Sequence, residues 1–520
     1  MKKRTIIWKT VSRVFLLIIF FVLIITLKSA NWFLNNFNEV EFSVALYQLF
    51  SPLKGTEAGV LSDYINECLY PASFFSVVCL IAYTLYDMMA GRIFLETSVQ
   101  IGKGKVKNIQ FKGRRQKFAN VRKLIVLWSI IAVLCICVWN SAVAVGIPEY
   151  VESVTNISSI FETEYVDPDA VSIIFPEKKR NLIVIYMESM ETTYASTQVG
   201  GGKAVNYIPE LTKLAEENLF FSNDDDLGGA GAVSETGWTM GGLFASSTGV
   251  PYKLPIDGNS AGDYESYVPG LKGLGDILEE NGYQNYFMCG SNATFGGRKA
   301  FYQQHGDYEV LDLDSARGSG FIPEDYRVFW GMEDEKLYEY AKQKLAEIAQ
   351  HEEPFNFTML TADTHPNEGY LCRLCGDIYP SQYENVLACS SRQVSQFIDW
   401  VSEQEWYENT TIVITGDHLN MKKDIWDDIG DYDRKIYNCF VNLPEGLAAS
   451  QTVNRQFSIL DMFPTILASV GADIEGDRLG LGTNLFSQQQ TLPEQMGFEE
   501  LNKELQLYSN YYYTNFIVGR

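Results

Sequence analysis

Histidine is nearly absent from this chain, with four residues in 520, at positions 305, 351, 365 and 418. Chemistry that needs an imidazole must draw on those four. Taken singly, each reads as a surface or core side chain. Basic residues are also outnumbered, 41 Lys and Arg against 65 Asp and Glu, for a formal charge of −24. That argues against a polyanion-binding surface and so against a nucleic-acid partner. There is no internal repeat. Asp224-Asp225-Asp226 lacks the alternating ligand spacing of a calcium loop and reads as a solvated loop. The nine cysteines include Cys372-x-x-Cys375, but no second pair follows at zinc-ribbon spacing. With Cys389 nearby, a structural disulfide is the preferred reading, Cys375–Cys389 first, the third thiol leaving the pairing open. The sequons at Asn156, Asn292, Asn356 and Asn409 matter only in a host that glycosylates secreted proteins.

What the chain does have is a long apolar start. Apolar runs at about 6–27, 73–90 and 124–145 are each read as a transmembrane helix. Lys9 and Arg13 near the start of the first can snorkel. No small-residue cleavage site clearly follows that run, so it is expected to remain as an anchor. The segment Gly91–Lys123 holds ten Lys and Arg against the single acid Glu96. The 29–71 loop is net acidic. The positive-inside rule then places the N-terminus and the basic loop in the cytoplasm and everything after about Gly146 outside.

The remainder divides into a connector (147–180), a large domain (181–486) and a tail (487–520). Apolar strand candidates fall at 182–187, 356–361, 411–415 and 437–442. Helical candidates fall at 208–218, 271–281, 334–350, 391–404 and 457–470. Such alternation predicts an α/β fold, a mostly parallel sheet with helices on both faces. The Tyr-rich segment Tyr508–Phe516 is either an added edge strand or a packing tail.

Two of the strand candidates end abruptly in metal-binding side chains. NLIVIYME runs into Glu188, and TIVITGDH runs into Asp417 and His418. Ligand sites of open α/β sheets lie at the carboxyl ends of the strands. Between them, GGAGAVSETGWTMGGLFASSTGVP passes from a flexible loop into a helix near Thr236. A hydroxyl there meets free backbone N–H groups at a positive helix end. Ser and Thr are also the ordinary N-cap residues. Thr239 is the second candidate, one turn on, where local packing is its simpler role. Asp461, in SILDMFPTIL, is expected to cap a helix.

Residues 181–486 resemble the membrane phosphoglycerol transferases that modify periplasmic glucans, relatives of the lipoteichoic acid synthases in the alkaline phosphatase/sulfatase superfamily. The carriers are NLIVIYMES, TGWTMGGLFASSTGVP, NGYQNYFMCGSNATFGGRKAF, TADTHPNEGY, TIVITGDH and SILDMFPTIL followed by RLGLGTNLF. The resemblance implies a sulfatase-like catalytic domain outside a bacterial inner membrane. It implies one divalent metal, Mn²⁺ first and Mg²⁺ or Zn²⁺ as alternatives, held by Glu188, Thr236, Asp417 and His418. It makes Thr236 the nucleophile, through its interval to Gly249-Val250-Pro251. Arg298 would hold the phosphate or glycerol, and His365 would bond the phosphate and assist proton transfer. The implied donor is phosphatidylglycerol and the acceptor a glycan, with diacylglycerol released. Glycerophosphate polymerisation, phosphoethanolamine transfer and a tethered pseudoenzyme scaffold are the alternatives. Gly296 stands where the polymer synthases carry an aromatic residue, and three spans are found where they typically have five. A true sulfatase is not expected, since no Cys lies in a short Pro- and Arg-containing nucleophile motif. The chemistry agrees with the residue types. A Thr hydroxyl is a poor nucleophile near neutral pH until a bound cation lowers its pKa. A mixed O/N ligand set suits such an ion, and Arg can meet two phosphate oxygens at once.

Overall fold

The computed structural model describes residues 2–36, 62–89, 96–100, 106–110, 116–253, 266–366, 368–421 and 428–519. One compact unit takes in Met1–Asn35 and Ala58–Pro148, and a second takes in Glu149–Arg520.

In the first unit, helices occupy Lys2–Asn36, Tyr70–Met89 and Gln116–Ala144. Thr10–Asn36, Ser62–Leu85 and Leu124–Ala144 are long and apolar enough to cross a membrane. The second begins well before the expected 73. Asp63 and Glu67 lower the hydropathy there without ending the helix, which continues through a π-turn at Ile65–Leu69. Leu16, Phe20 and Ile24 pack with Ala72, against Leu127 and Ile130 of the third helix. The basic segment contains an antiparallel hairpin, Glu96–Gln100 with Val106–Gln110. Most of the 29–72 loop lies outside the described residues.

The second unit is built on six strands: β1 (Asn181–Met187), β2 (Gln284–Cys289), β3 (Glu309–Leu311), β4 (Phe355–Leu360), β5 (Thr410–Gly416) and β6 (Asn438–Val441). Their spatial order is β3-β2-β4-β1-β5-β6. All neighbours are parallel except β6, which runs antiparallel to β5 at one edge. Every residue of β1 is buried. Its alternate residues enter two cores, Leu182, Val184 and Tyr186 on one face and Ile183, Ile185 and Met187 on the other. This double burial explains the unbroken apolar run. Helices Thr239–Thr248, Leu274–Glu280 and Met462–Ser469 contribute to the first core, and Pro209–Glu217, Asp334–Ile348 and Gln382–Ser402 to the second.

The expected strands and helices are present, and the sheet has two more. β2 begins Gln-Asn and alternates in burial before its last three residues go under, so its apolar run is only Tyr286–Cys289. β3 is three residues at the edge. The helix expected at 391–404 starts at Gln382, where Ser381 and Glu384 form a capping box. Asp461 caps as expected, accepting from Ser458 N (2.7 Å) and Thr483 N (2.8 Å). The Asn356 sequon is inside the sheet, its amide bonded to Asn285 and Tyr308. Connector and tail pack on each other. Phe161 meets Tyr512 and Phe516 edge-on at 5.3 and 5.9 Å. Residues Tyr512–Ile517 form a helical turn, not a strand.

Candidate metal-binding and active site

β1 and β5 are parallel neighbours in register through Met187 and Gly416. The residues that follow therefore emerge side by side at one sheet edge. Past Met187 the chain turns sharply, with Ser189 at φ 52°. The Ser189 N–H donates to Asp417 Oδ1 at 2.8 Å, and its hydroxyl donates to Glu188 Oε1 at 2.7 Å. The β5 side needs Gly416, since a Cβ there would lie 1.9 Å from Met190 O. The loop after β4 clamps Glu188 from its other side. Glu188 N donates to Thr361 Oγ1 at 3.0 Å, and Thr364 Oγ1 donates to Glu188 O at 2.5 Å.

Glu188, Asp417 and His418 are all buried, and one ligand atom from each lies within 4.8 Å of the others. His418 Nδ1 bonds Leu419 O at 2.7 Å. That carbonyl can only accept, so Nδ1 carries a proton, and in the neutral ring Nε2 presents its lone pair to the carboxylates. Nε2 lies 3.3 Å from Glu188 Oε1 and 3.5 Å from Asp417 Oδ2. Nε2 and Asp417 Oδ2 have no hydrogen-bond partner. Three acceptors facing one another in a buried space repel unless a cation sits among them. The donor set O, O, N fits a divalent ion.

The electrostatics agree. Burial raises the Asp417 carboxyl to about 7, with the Glu188 charge adding. Burial also acts to raise Glu188, but positive charge on His365 and His418 outweighs it and brings it down to about 2. Burial works against the His418 cation, yet Asp417 and Glu188 lift it to about 9. Without an ion, a proton takes the cation's place.

The hydroxyl that reaches this cluster belongs to Thr239. It is the first residue of the Thr239–Thr248 helix, and its Oγ1 lies 3.2 Å from Glu188 Oε2. Gly242 makes that approach feasible: a Cβ there would come within 1.8 Å of Asp417 O. Thr236 is not brought to the cluster by any hydrogen bond. Its Oγ1 donates to Val233 O at 2.6 Å and accepts from Val233 N at 3.1 Å. Glu235, at φ 63°, closes this turn.

Arg298 opens the helix Arg298–Gln304 and is buried. Its Nε donates to Phe295 O at 3.1 Å, and one Nη donates to Ser291 Oγ and Asn292 O at 3.0 and 3.1 Å. A Cβ on Gly296 would be 3.8 Å from Met240, so the loop rests beside the start of the Thr239–Thr248 helix. His365 follows β4, with Nδ1 at 2.6 Å from Pro366 O and its ring 4.7 Å from that of Trp330. Trp330 in turn meets Phe295 at 5.4 Å. An aromatic wall thus joins the His365 and Arg298 loops. His305 lies elsewhere, bonded to Asp276 and Tyr267 O.

Sequence reasoning did not find the supports behind the ligands. Glu191 takes a bidentate ion pair from Arg434 at 2.9 and 2.6 Å and the N–H of Asn420 at 2.8 Å. This braces the segment following His418. Glu191 has a weak signal, three residues past Glu188, while Arg434 has none.

The sulfatase family model matches residues 180–472. Phosphoglycerol transferase I of Escherichia coli O6:K15:H31 is 32% identical over 335 residues, covering 63% of this chain and 41% of that protein. A second relative of that name, from Escherichia coli strain 55989, is 31% identical with the same coverage. The chain therefore spans about two fifths of the length of these curated relatives. Among solved structures, the lipoteichoic acid synthase LtaP of Listeria monocytogenes is 18% identical at TM-score 0.45, covering 61% of this chain and 79% of that one. The phosphoethanolamine transferase EptA of Neisseria meningitidis is 13% identical at TM-score 0.48, covering 94% and 87%.

Proposed function

Because the chain belongs to the sulfatase family, we propose that it is a membrane-anchored, metal-dependent transferase. It moves phosphoglycerol from phosphatidylglycerol to a hydroxyl of an extracytoplasmic glycan. The observation that carries this reading is the Thr239 hydroxyl on Glu188, at the edge of a cluster of unpartnered buried acceptors. The curated relatives of the same name support the choice of group transferred.

Glu188, Asp417 and His418 would hold one divalent ion, Mn²⁺ by preference, which would lower the hydroxyl pKa and neutralise the phosphodiester. Thr239 Oγ1 gives up its proton to solvent and attacks phosphorus, and the bond to the diacylglycerol oxygen breaks. That oxygen leaves with a proton, which His365 would supply from the loop after β4 and recover from solvent. A glycan hydroxyl then attacks the phosphothreonine, transfers its proton and regenerates Thr239. Arg298 grips the phosphoryl oxygens through a guanidinium already aligned by its own loop, with one Nη outside those bonds. The free N–H groups of the Thr239–Thr248 helix favour the same negative charge. We place this domain outside the membrane, as the basic 91–123 segment directs.

The test uses the full chain in mixed micelles with headgroup-labelled phosphatidylglycerol and Mn²⁺, with phosphatidylethanolamine as a parallel donor. Diacylglycerol release from phosphatidylglycerol that disappears in Thr239→Ala supports the proposal. Release from phosphatidylethanolamine alone would reassign the donor. Release that survives in Glu188→Ala would end the metal-dependent reading.

A further inference from the structure

A second cluster lies in the segment after His365 and takes no part in the chemistry above. Cys372 Sγ is 3.6 Å from Cys375 Sγ and 3.7 Å from Cys389 Sγ, and the three sulfurs lie mutually within 4.8 Å. None is in a disulfide, so the expected Cys375–Cys389 bridge is not formed. Cys372 stands between the other two. A bridge to either would strand the third sulfur beside it. Tetrahedral zinc thiolates, at Zn–S of about 2.3 Å, place their sulfurs about 3.8 Å apart. The two shortest separations here match that edge.

The surroundings are those of thiolates. Cys372-x-x-Cys375 is folded as a tight turn, with Cys375 N donating to Cys372 O at 3.1 Å. Cys389 comes from the Gln382–Ser402 helix. One turn further on, buried Gln393 directs Nε2 at Cys389 Sγ (3.4 Å) and Cys372 Sγ (3.9 Å). Donors aimed at sulfur hold the anionic form and orient metal-bound thiolates. Three protons leave together only if a cation replaces them.

We propose that Cys372, Cys375 and Cys389 bind a structural zinc ion, with water as fourth ligand on the partly exposed Cys375 side, and that this ion fastens the 366–381 segment to the Gln382–Ser402 helix. Binding displaces the thiol protons and involves no oxidation. It would shield these thiols in an oxidising space and anchor the segment that begins at His365.

The full chain, purified in detergent without reductant and dialysed against a weak chelator, is treated with a mercurial thiol reagent while zinc release is followed with a chromogenic chelator. One zinc per chain should appear, in wild type and equally in Glu188→Ala, whose catalytic ligand set is broken. Cys375→Ser should release none. Peptide mapping of untreated protein should find all three cysteines alkylated after denaturation with a chelator. No released zinc in wild type, or a disulfide between any two of the three, overturns the proposal. The mapping needs no variant, so misfolding of Cys375→Ser does not blunt the test.

Discussion

Thr236 and Thr239 stand three residues apart with the same hydroxyl, and the fold gives them different partners. Around Thr236 the chain forms a closed turn, and Val233 takes both hydrogen-bonding roles of the hydroxyl. At Thr239 the helix begins, and the hydroxyl is delivered to Glu188. A side chain whose bonds are all satisfied by its own turn stabilises that turn. One whose partner is a buried carboxylate, beside acceptors with no partner, is available to a ligand. The local partners of a residue, more than its position in a motif, separate the two.

The sharpest break of this comparison is the pair of alanine variants. Thr239→Ala should cut diacylglycerol release by at least about 10³-fold, the scale of losing a nucleophile. Thr236→Ala should keep activity within about tenfold. It should cost roughly 1–3 kcal/mol of stability, because Val233 N and O lose their partner. Lipid turnover and denaturant unfolding of both variants decide it, and the reverse pattern would restore Thr236 as nucleophile. Glu188→Gln comes next. Metal affinity should fall by at least about 100-fold, by analogy with loss of groups that merely support ligands, as read by titration with Mn²⁺.

Gly242→Ala probes how the helix start reaches the sheet edge. Its Cβ would meet Asp417 O at 1.8 Å. The helix must move off, at a cost of roughly 1–3 kcal/mol. Turnover should fall further than stability, because Thr239 moves with the helix; calorimetry and kcat together test this.

The smallest effect concerns two carboxyls that resemble a site and act as a brace. Asp334 accepts from Ala362 N and Asp363 N at 2.7 and 3.2 Å, and Asp363 accepts from Asp334 N at 3.1 Å. Burial raises Asp334 to about 7, and burial with the Asp334 charge raises Asp363 to about 10. Both lie above the unfolded value of about 3.9. The folded chain then holds more protons than the unfolded one from about pH 4 upward. Stability is fullest at low pH and declines as pH rises through about 7 toward 10. In Asp363→Asn that decline should flatten, as read from denaturant midpoints between pH 6 and 9.

The sequence by itself determined the three apolar spans, the α/β class, the buried strands β1, β4, β5 and β6, and the grouping of Glu188, Asp417 and His418. Each follows from a local pattern: an apolar run records burial on both faces, and Glu188, Asp417 and His418 sit where such runs stop. Asp461 and its helix were legible for the same reason, since a cap and its helix are neighbours in sequence. Only the tertiary structure decided the rest. β2 and β3 are held by neighbours instead of by their own hydrophobicity. The contact of Thr239 with Glu188 depends on how closely Gly242 lets a helix approach Asp417. Arg434 supports the site from a distant part of the chain, and Cys372 occupies the centre of its cluster only after the 366–381 segment has folded onto a helix. These are contacts between residues far apart in sequence. No local pattern records them, because their energy arises only when the sheet has brought the segments together.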